Sequence, residues 1–546
     1  MRTLPLLLLF SLPALAAEPI FDLVLRNGKV VDGTGNPWIH ADVAIRGNKI
    51  AAIGNIPAGS GKREVDAKGL VIAPGFIDMH SHSDTLLLED GNAPSKVRQG
   101  VTTEVLGEGN SAGPYVGEMR ADGRNRFESL GAYFTALEKS GSAVNVASYV
   151  GLDNLWLSVM GTSHVRPTAE QFAKMKPILE AAMQDGAIGL SSMLMMPPGS
   201  LATTEDVAEL CKIVAKYRGS YSAHIRSEGE TVLDSVKEAI AVADKAGVPV
   251  DVIHLKIAEQ KLWGRMNEII ALIEAARKRG VNVQANVYPY TRGNNNLASI
   301  VPPWAHEGGT NKMIERLEDP MQRARLKKDI KEGIPGWYNH YTAVGGDWSR
   351  MLISGKGTYA GLTMDRVIAA RTKGKQGSAD SVDVMLDLLI ATEGSVPTVF
   401  EHHTEQDMNL ALKQPWCSVG SDGSAYAIEG PLRRGHPHPR NFGTFPRVLG
   451  FYVREKGLLT LEDAVRKMTS LNAAKLGITD RGTLRPDTCA DITIFDPERV
   501  IDRSTFAEPF HYSEGIAYVI VNGKLVLDGG KPTGEKPGKA IKRPKP

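Results

Sequence analysis

Ala73-Pro74-Gly75-Phe76-Ile77-Asp78-Met79-His80-Ser81-His82-Ser83-Asp84 opens the stretch, running to Glu108, around which the chain is organised. Its apolar run reads as one buried strand that closes on two histidines a residue apart. Side chains at i and i+2 leave the same face of a strand, so His80 and His82 can converge on one ion. A parallel-barrel strand would deliver the pair at its C-terminal end, the rim where barrel enzymes keep their chemistry. Alone, such a pair also fits a solvated turn, so the rest of the chain decides.

Seven further strand candidates follow. Gly100-Val101-Thr102-Thr103-Glu104-Val105-Leu106-Gly107-Glu108 is β-branched and ends in an acid. Asn145 to Gly151, Gly186 to Ser192, Ser220 to His224, Val248 to His254, Val281 to Tyr290 and Cys417 to Asp422 complete the set. Amphipathic helices separate several of them, among them Thr203 to Arg218, opened by a capping pattern of Thr203 with Asp206. Eight strands alternating with helices or loops predict an α/β fold, a TIM-like (β/α)8 barrel. Five of these strands end in ligand-type residues: His80 and His82, Glu108, His224, His254 and Asp422. Four imidazoles and two carboxylates suit one or two divalent ions per chain, zinc first. His402, His403, His436 and His438 lie in loops or near prolines and are read as non-ligands.

Around the barrel, residues 70–480, the reading places a small β-sandwich domain built from both chain ends, residues 18–69 and 481–530. Asn27-Gly28, Gly47-Asn48 and Asn522-Gly523 each read as the two-residue turn of a tight hairpin. Residues from about 293 to 397 are too long for a simple crossover and read as an inserted subdomain over the barrel mouth, or as peripheral decoration. Residues 1–17, with Arg2, Leu6-Leu7-Leu8-Leu9-Phe10 and Ala14-Leu15-Ala16, read as a signal peptide. The mature chain would begin at Ala17 or Glu18 and be secreted or periplasmic. No later stretch reads as a membrane span. Lys plus Arg (64) nearly balances Asp plus Glu (62), which points to neither nucleic acid nor anionic lipid as partner. Residues 531–546 read as a basic disordered tail. Three scattered cysteines offer no disulfide framework.

Taken together, these motifs resemble the amidohydrolase superfamily, and within it the N-acyl-D-amino-acid deacylases, or D-aminoacylases. The resemblance covers nearly the whole mature chain. It rests on Asn27-Gly28-Lys29, Ala73 to Asp78 with His80 and His82, and Gly100-Val101-Thr102-Thr103. Tyr288-Pro289-Tyr290, Gly420-Ser421-Asp422-Gly423 and Gly443-Thr444-Phe445-Pro446-Arg447-Val448-Leu449 point to the deacylase branch. It implies a metal-dependent barrel with a small β domain. One metal site would use His80, His82 and Asp422, the other His224 and His254, with an N-acyl amino acid as small-molecule substrate. It also points to Lys256, Tyr288 and Arg440 as binders of the substrate carboxylate.

The departure lies at the second strand. Deacylases of this family usually carry a metal-bridging cysteine after Gly-Val-Thr-Thr, where this chain reads Gly107-Glu108-Gly109-Asn110. Glu108 is therefore the candidate bridge, with Glu104 as rival, about 13 Å deeper at about 3.3 Å per residue. A carboxylate is a harder ligand than a thiolate and would admit manganese or cobalt. A divalent ion would make hydroxide available at neutral pH, and Asp422 would take the water's proton and hand it to the leaving amine. The expected activity is hydrolysis of N-acyl amino acids, of D configuration. A dipeptidase or cyclic-amide hydrolase is the alternative within enzymes, and a non-catalytic metal- or ligand-binding protein the alternative outside them.

Overall fold

Val71 to Asp78 is two strands rather than one. In the computed structural model, which describes residues 20–120, 125–163, 165–373 and 380–543, the strand Val71–Pro74 ends at Gly75 and Phe76–Asp78 begins a different sheet. Gly75 makes the crossing possible, because a Cβ there would lie 2.2 Å from Thr102 Oγ1. Val71–Pro74 pairs with Lys29–Val30 on one side and with Ile492–Phe495 on the other. The first strand of the barrel thus follows directly on a strand of the small domain. The expected leader lies outside the described residues.

The small domain is one sheet of nine strands drawn from both ends of the chain. Leu25, Val43, Ile45 and Ile72 from the first end pack with Ile492, Ile494 and Ile520 from the second. Gly47-Asn48 and Asn522-Gly523 turn hairpins as expected. Asn27-Gly28 does not. Phe21–Val30 runs straight through it as one strand, with a register shift between Leu25 and Gly28 and Asn27 at φ 58°. Asn-Gly supplies the left-handed residue that a bulge needs just as it does for a turn.

Eight parallel strands form the body of the molecule: Phe76–Asp78, Val101–Leu106, Asn145–Ser148, Gly189–Met193, Ser220–His224, Val250–Val252, Val283–Val287 and Cys417–Val419. Each pairs with the next in chain order from the first to the third and from the fourth to the eighth. Ile188 N–H donates to Ser148 O (3.0 Å), and Val150 pairs with Leu190, which joins third to fourth. Ser81 pairs with Gly423, and Asp422 N–H donates to His80 O (2.8 Å), so the eighth returns to the first. Helix Thr204–Lys216 opens on the expected capping box of Thr203 and Asp206.

Two expectations about the periphery change. The inserted segment has its own core, in which Ile300, Met313, Leu326, Met385 and Phe400 are buried and Trp304, Trp337 and Trp348 partly so. Its three-stranded antiparallel sheet, Gly293–Asn296, Met351–Ile353 and Pro397–Phe400, runs past residue 397. Lys531 to Arg543 is not a disordered tail. Pro537 and Ala540 bridge to Ser142 and Val146, Ile541 packs on the core around Ile77 and Met79, and Arg543 donates to Tyr217 O and Leu476 O. A basic, proline-rich composition hid the backbone hydrogen bonds that Val146 and Gly186 offer it.

Candidate active site

Every ligand-type residue named above lies just beyond its strand or at its last position. The first strand stops at Asp78, and the ladder to Gly423 carries the chain on so that His80 and His82 meet the end of the eighth strand. Glu108 follows Gly107, whose φ of 92° turns the chain where a Cβ would collide with Tyr149 O at 2.4 Å. His224 ends its strand. His254 and Asp422 sit beyond theirs in left-handed conformations, φ 37° and 50°. Such backbone costs on the order of 1–3 kcal/mol for a non-glycine residue and persists where its surroundings hold it. Here Asn286 Oδ1 accepts from His254 N–H (3.0 Å) and His80 O from Asp422 N–H.

Glu108 lies at the centre, with two faces. Its Oε2 is 2.8 Å from His80 Nε2 and 3.0 Å from His82 Nε2, while its Oε1 is 3.6 Å from His254 Nε2 and 4.0 Å from His224 Nε2. Asp422 Oδ1 stands 3.0 Å from His82 Nε2 and 3.8 Å from His80 Nε2. Two groups result, His80, His82, Glu108 and Asp422, and Glu108, His224 and His254, with the ligand atoms of each within 4.8 Å of one another. Glu104, the rival, is buried behind the site. It accepts from Ser81 and Ser83 and faces Lys96 at 3.6 Å.

Electrostatics keep both acids ionised. Burial opposes the Glu108 carboxylate, but His80 and the hydrogen bonds from His254, His80 and His82 outweigh it and hold the group well below the usual carboxylate range. Burial likewise opposes Asp422, and the Arg440 guanidinium, 2.8 Å away, and His80 pull it far below that range. The far ring nitrogens of His224 and His254 have partners, whereas His80 Nδ1 is buried without one. His224 Nδ1 lies 3.2 Å from Ile225 O, which favours the tautomer whose Nε2 lone pair is open to an ion, while His254 Nδ1 lies between Glu228 Oε1 at 3.0 Å and Lys256 Nζ at 2.8 Å. That donor set, imidazole nitrogen and carboxylate oxygen, fits zinc-class ions.

Lys256, Tyr288 and Arg440 come together beside the histidines. Arg440 is buried, not solvated, and its guanidinium carbon lies 4.8 Å from the Tyr288 ring centroid. Lys256 Nζ lies 5.9 Å from that centroid, 2.8 Å from His254 Nδ1, and in contact with Glu228. It gets there by the left-handed turn at His254 and not by strand alternation, since the strand ends at Val252. Tyr288 Oη and Arg440 Nε are buried without a hydrogen-bond partner, pointing to a polar group yet to arrive. His403 and His438 pack edge-on against Tyr288, so these loop histidines are buried supports of that ring.

The amidohydrolase family model matches residues 63–284 and 430–527. A D-aminoacylase from Alcaligenes xylosoxydans xylosoxydans is 34% identical over 541 residues, covering 96% of this chain and 98% of that one. The chain belongs to the amidohydrolase family, in its N-acyl-D-amino-acid deacylase branch. Two solved structures match this amidohydrolase at a TM-score of 0.79 and 32% identity over 96% of its length. One, covered to 99%, is an N-acyl-D-glutamate deacylase from Bordetella bronchiseptica with zinc and a phosphonate inhibitor that mimics the tetrahedral intermediate. The other, covered to 100%, is a D-aminoacylase with a binuclear metal centre, where one metal activates and the second attenuates. Membership makes the chain an enzyme, and the reading of a non-catalytic binding protein falls away.

Sequence reasoning missed Glu228 in this amidohydrolase. A buried carboxylate serving both a histidine and a lysine has one sequence signal, its spacing in His224-Ile225-Arg226-Ser227-Glu228. A spacing of four suits one face of a helix or a strand equally and says nothing of burial or partners. Lys96 was missed for the same reason. Fully buried, it reaches Asp78 Oδ2 (2.7 Å), Ser421 Oγ (2.9 Å) and Gly423 O (3.0 Å), which fastens the first strand to the loop that holds Asp422.

Proposed function

We propose that this amidohydrolase hydrolyses N-acyl-D-amino acids, using one or two zinc-class ions held by His80, His82, Glu108, His224, His254 and Asp422. The observation that carries the reading is Glu108, whose two oxygens face two separate histidine pairs. When bound, such an ion supplies a nucleophilic water of pKa about 7 and polarises the scissile carbonyl. Asp422, ionised throughout the working range, takes a proton at its carboxylate and returns it to the departing amine. Arg440 holds Asp422 in place through Oδ2 and keeps Nε free for the substrate's carboxylate. Lys256 and Tyr288 Oη complete that carboxylate's surroundings.

The test is elemental analysis of the purified protein with turnover on a panel of N-acyl-D- and N-acyl-L-amino acids, dipeptides and cyclic amides. One to two divalent ions per chain, D-selective turnover and loss of activity with chelator are expected. Activity that survives removal of every ion would overturn the mechanism. Glu228 gives a narrower prediction. Glu228→Gln removes the charge that orients His254 and holds Lys256, so metal affinity is expected to fall about 10- to 100-fold. Competition with a chelator of known affinity reads it, and KM rises as Lys256 loses its anchor.

The leader supports a further part of the reading, action outside the cytoplasm. Among the described residues no helix is long and apolar enough to cross a membrane. N-terminal sequencing of the exported protein is expected to begin at Ala17 or Glu18, and recovery of cytoplasmic protein starting at Met1 would contradict it.

A further inference from the structure

Two of the sequence stretches that mark the deacylase branch, Tyr288-Pro289-Tyr290 and Gly443 to Leu449, are built against each other, and the reaction described above uses only Tyr288 from them. Arg447 Nε donates to Pro289 O (2.8 Å), and the Arg447 guanidinium carbon lies 5.0 Å from the Tyr290 ring centroid. Gly443 lets its helix come this close, since a Cβ there would stand 2.5 Å from Tyr290 Oη and 2.5 Å from Asp502 Cβ. Asp502 is the third member. Its side chain is buried, and its Oδ2 accepts from Tyr290 Oη (3.1 Å) and from Arg447 Nη1 (3.3 Å). It comes from neither stretch but from the chain that follows strand Ile492–Phe495 of the small sheet.

What this cluster holds is the pair that would read the substrate's carboxylate. Arg440 opens the helix that Arg447 closes, so the two are joined by about two turns of helix. Tyr288 precedes Pro289, whose carbonyl Arg447 takes. His438 ties the two sides together. Its ring stands edge-on to Tyr288 (6.1 Å between centroids) and to Tyr290 (5.5 Å), and its Nδ1 accepts from Arg440 N–H (3.0 Å). Contacts that converge on one carboxylate, Asp502, therefore space Arg440 and Tyr288. Arg440 also lines a cavity of about 910 Å³ whose wall includes His82, Glu108 and residues of the insert, so where it sits decides where a ligand's negative charge can rest.

We infer that Asp502 is a positioning residue: through Tyr290 and Arg447 it sets Arg440 against Tyr288, and so governs how strongly the enzyme prefers a substrate with a free carboxylate. The inference rests on the reading above, in which Tyr288 and Arg440 bind that carboxylate. Asparagine in place of Asp502 would keep the shape but offer Arg447 no charge, and a guanidinium that loses its buried partner shifts toward other acceptors. The competing account is that the cluster only stabilises the fold.

The experiment measures kcat/KM of the metal-loaded parent and of Asp502→Asn on N-acetyl-D-leucine and on N-acetyl-D-leucinamide, whose carboxamide is uncharged. Any disturbance of Asp422 through Arg440 would slow both alike, so the ratio between the two substrates is read. The parent is expected to prefer the acid, and Asp502→Asn to cut that preference about tenfold at unchanged metal content. Tyr290→Phe, which removes one donor and keeps the ring, should cut it about threefold. A parent without preference, or an Asp502→Asn ratio equal to the parent's whatever the melting temperature, would overturn the inference. Crystal structures of both proteins read the same point without turnover. In Asp502→Asn the Arg440 guanidinium should leave its place 4.8 Å from the Tyr288 ring centroid, and its staying there would overturn the inference. Displacement in a protein whose parent cleaves neither compound would count against the deacylase reading alone.

Discussion

Glu108→Ala is expected to lose metal, from two ions toward one or none, and to lose turnover by on the order of 1,000-fold or more. The reason is geometric. Its Oε2 serves His80 and His82 and its Oε1 faces His224 and His254, so truncation removes the atoms that let both histidine pairs work on one substrate. His224 and His254 would then keep no carboxylate in their group. Glu108→Cys offers one soft atom in place of two hard ones and is expected to retain zinc while binding manganese less well. Elemental analysis alongside kcat decides. Full occupancy with a near-normal rate in Glu108→Ala would mean that another group, such as a modified lysine or water, bridges the ions.

Asp422→Asn is expected to lower kcat by about 100- to 10,000-fold while ions remain at Glu108, His224 and His254. The substitution is close to isosteric, and asparagine tolerates the left-handed φ of 50° at this position, so the loop should keep its path. What it lacks is the negative charge that accepts a proton and faces Arg440. A rate within about threefold of the parent, at normal metal content, would assign proton transfer to a different group.

Much of the barrel was legible because its strands are short buried runs set between helical or loop segments, several rich in β-branched residues as in Val101–Leu106. Its rim was legible because ligand-type side chains are rare at the ends of such runs. Where the reading went wrong, a local signal had two physical meanings. The run from Val71 to Asp78 has no polar residue before Asp78 to mark the change of sheet, and only the close approach of Thr102 to Gly75 shows it. Asn27-Gly28 serves bulge and turn equally well. Glu228 and Lys96 act through contacts distant in sequence, Lys96 with Ser421 and Gly423 among them, and no spacing announces those. The insert's length suggested a subdomain over the barrel mouth or a peripheral decoration but not which residues would line the cavity, because Ile353, Leu388 and Val396 have the composition of any small core.

The strand Val71–Pro74, shared between the small sheet and the entrance to the barrel, has a consequence for how the protein is made. Ala73 pairs with Thr493, about 420 residues later. A chain that emerges N-terminus first, from a ribosome or a translocation pore, therefore presents this strand with an open edge until nearly all of the barrel has followed. Exposed edges of that kind recruit wrong partners, and contacts so distant in sequence form slowly. Nascent chains halted anywhere between the first and the last barrel strand should bind holdase chaperones through this edge, and be released only when Ile492–Phe495 arrives to cover it.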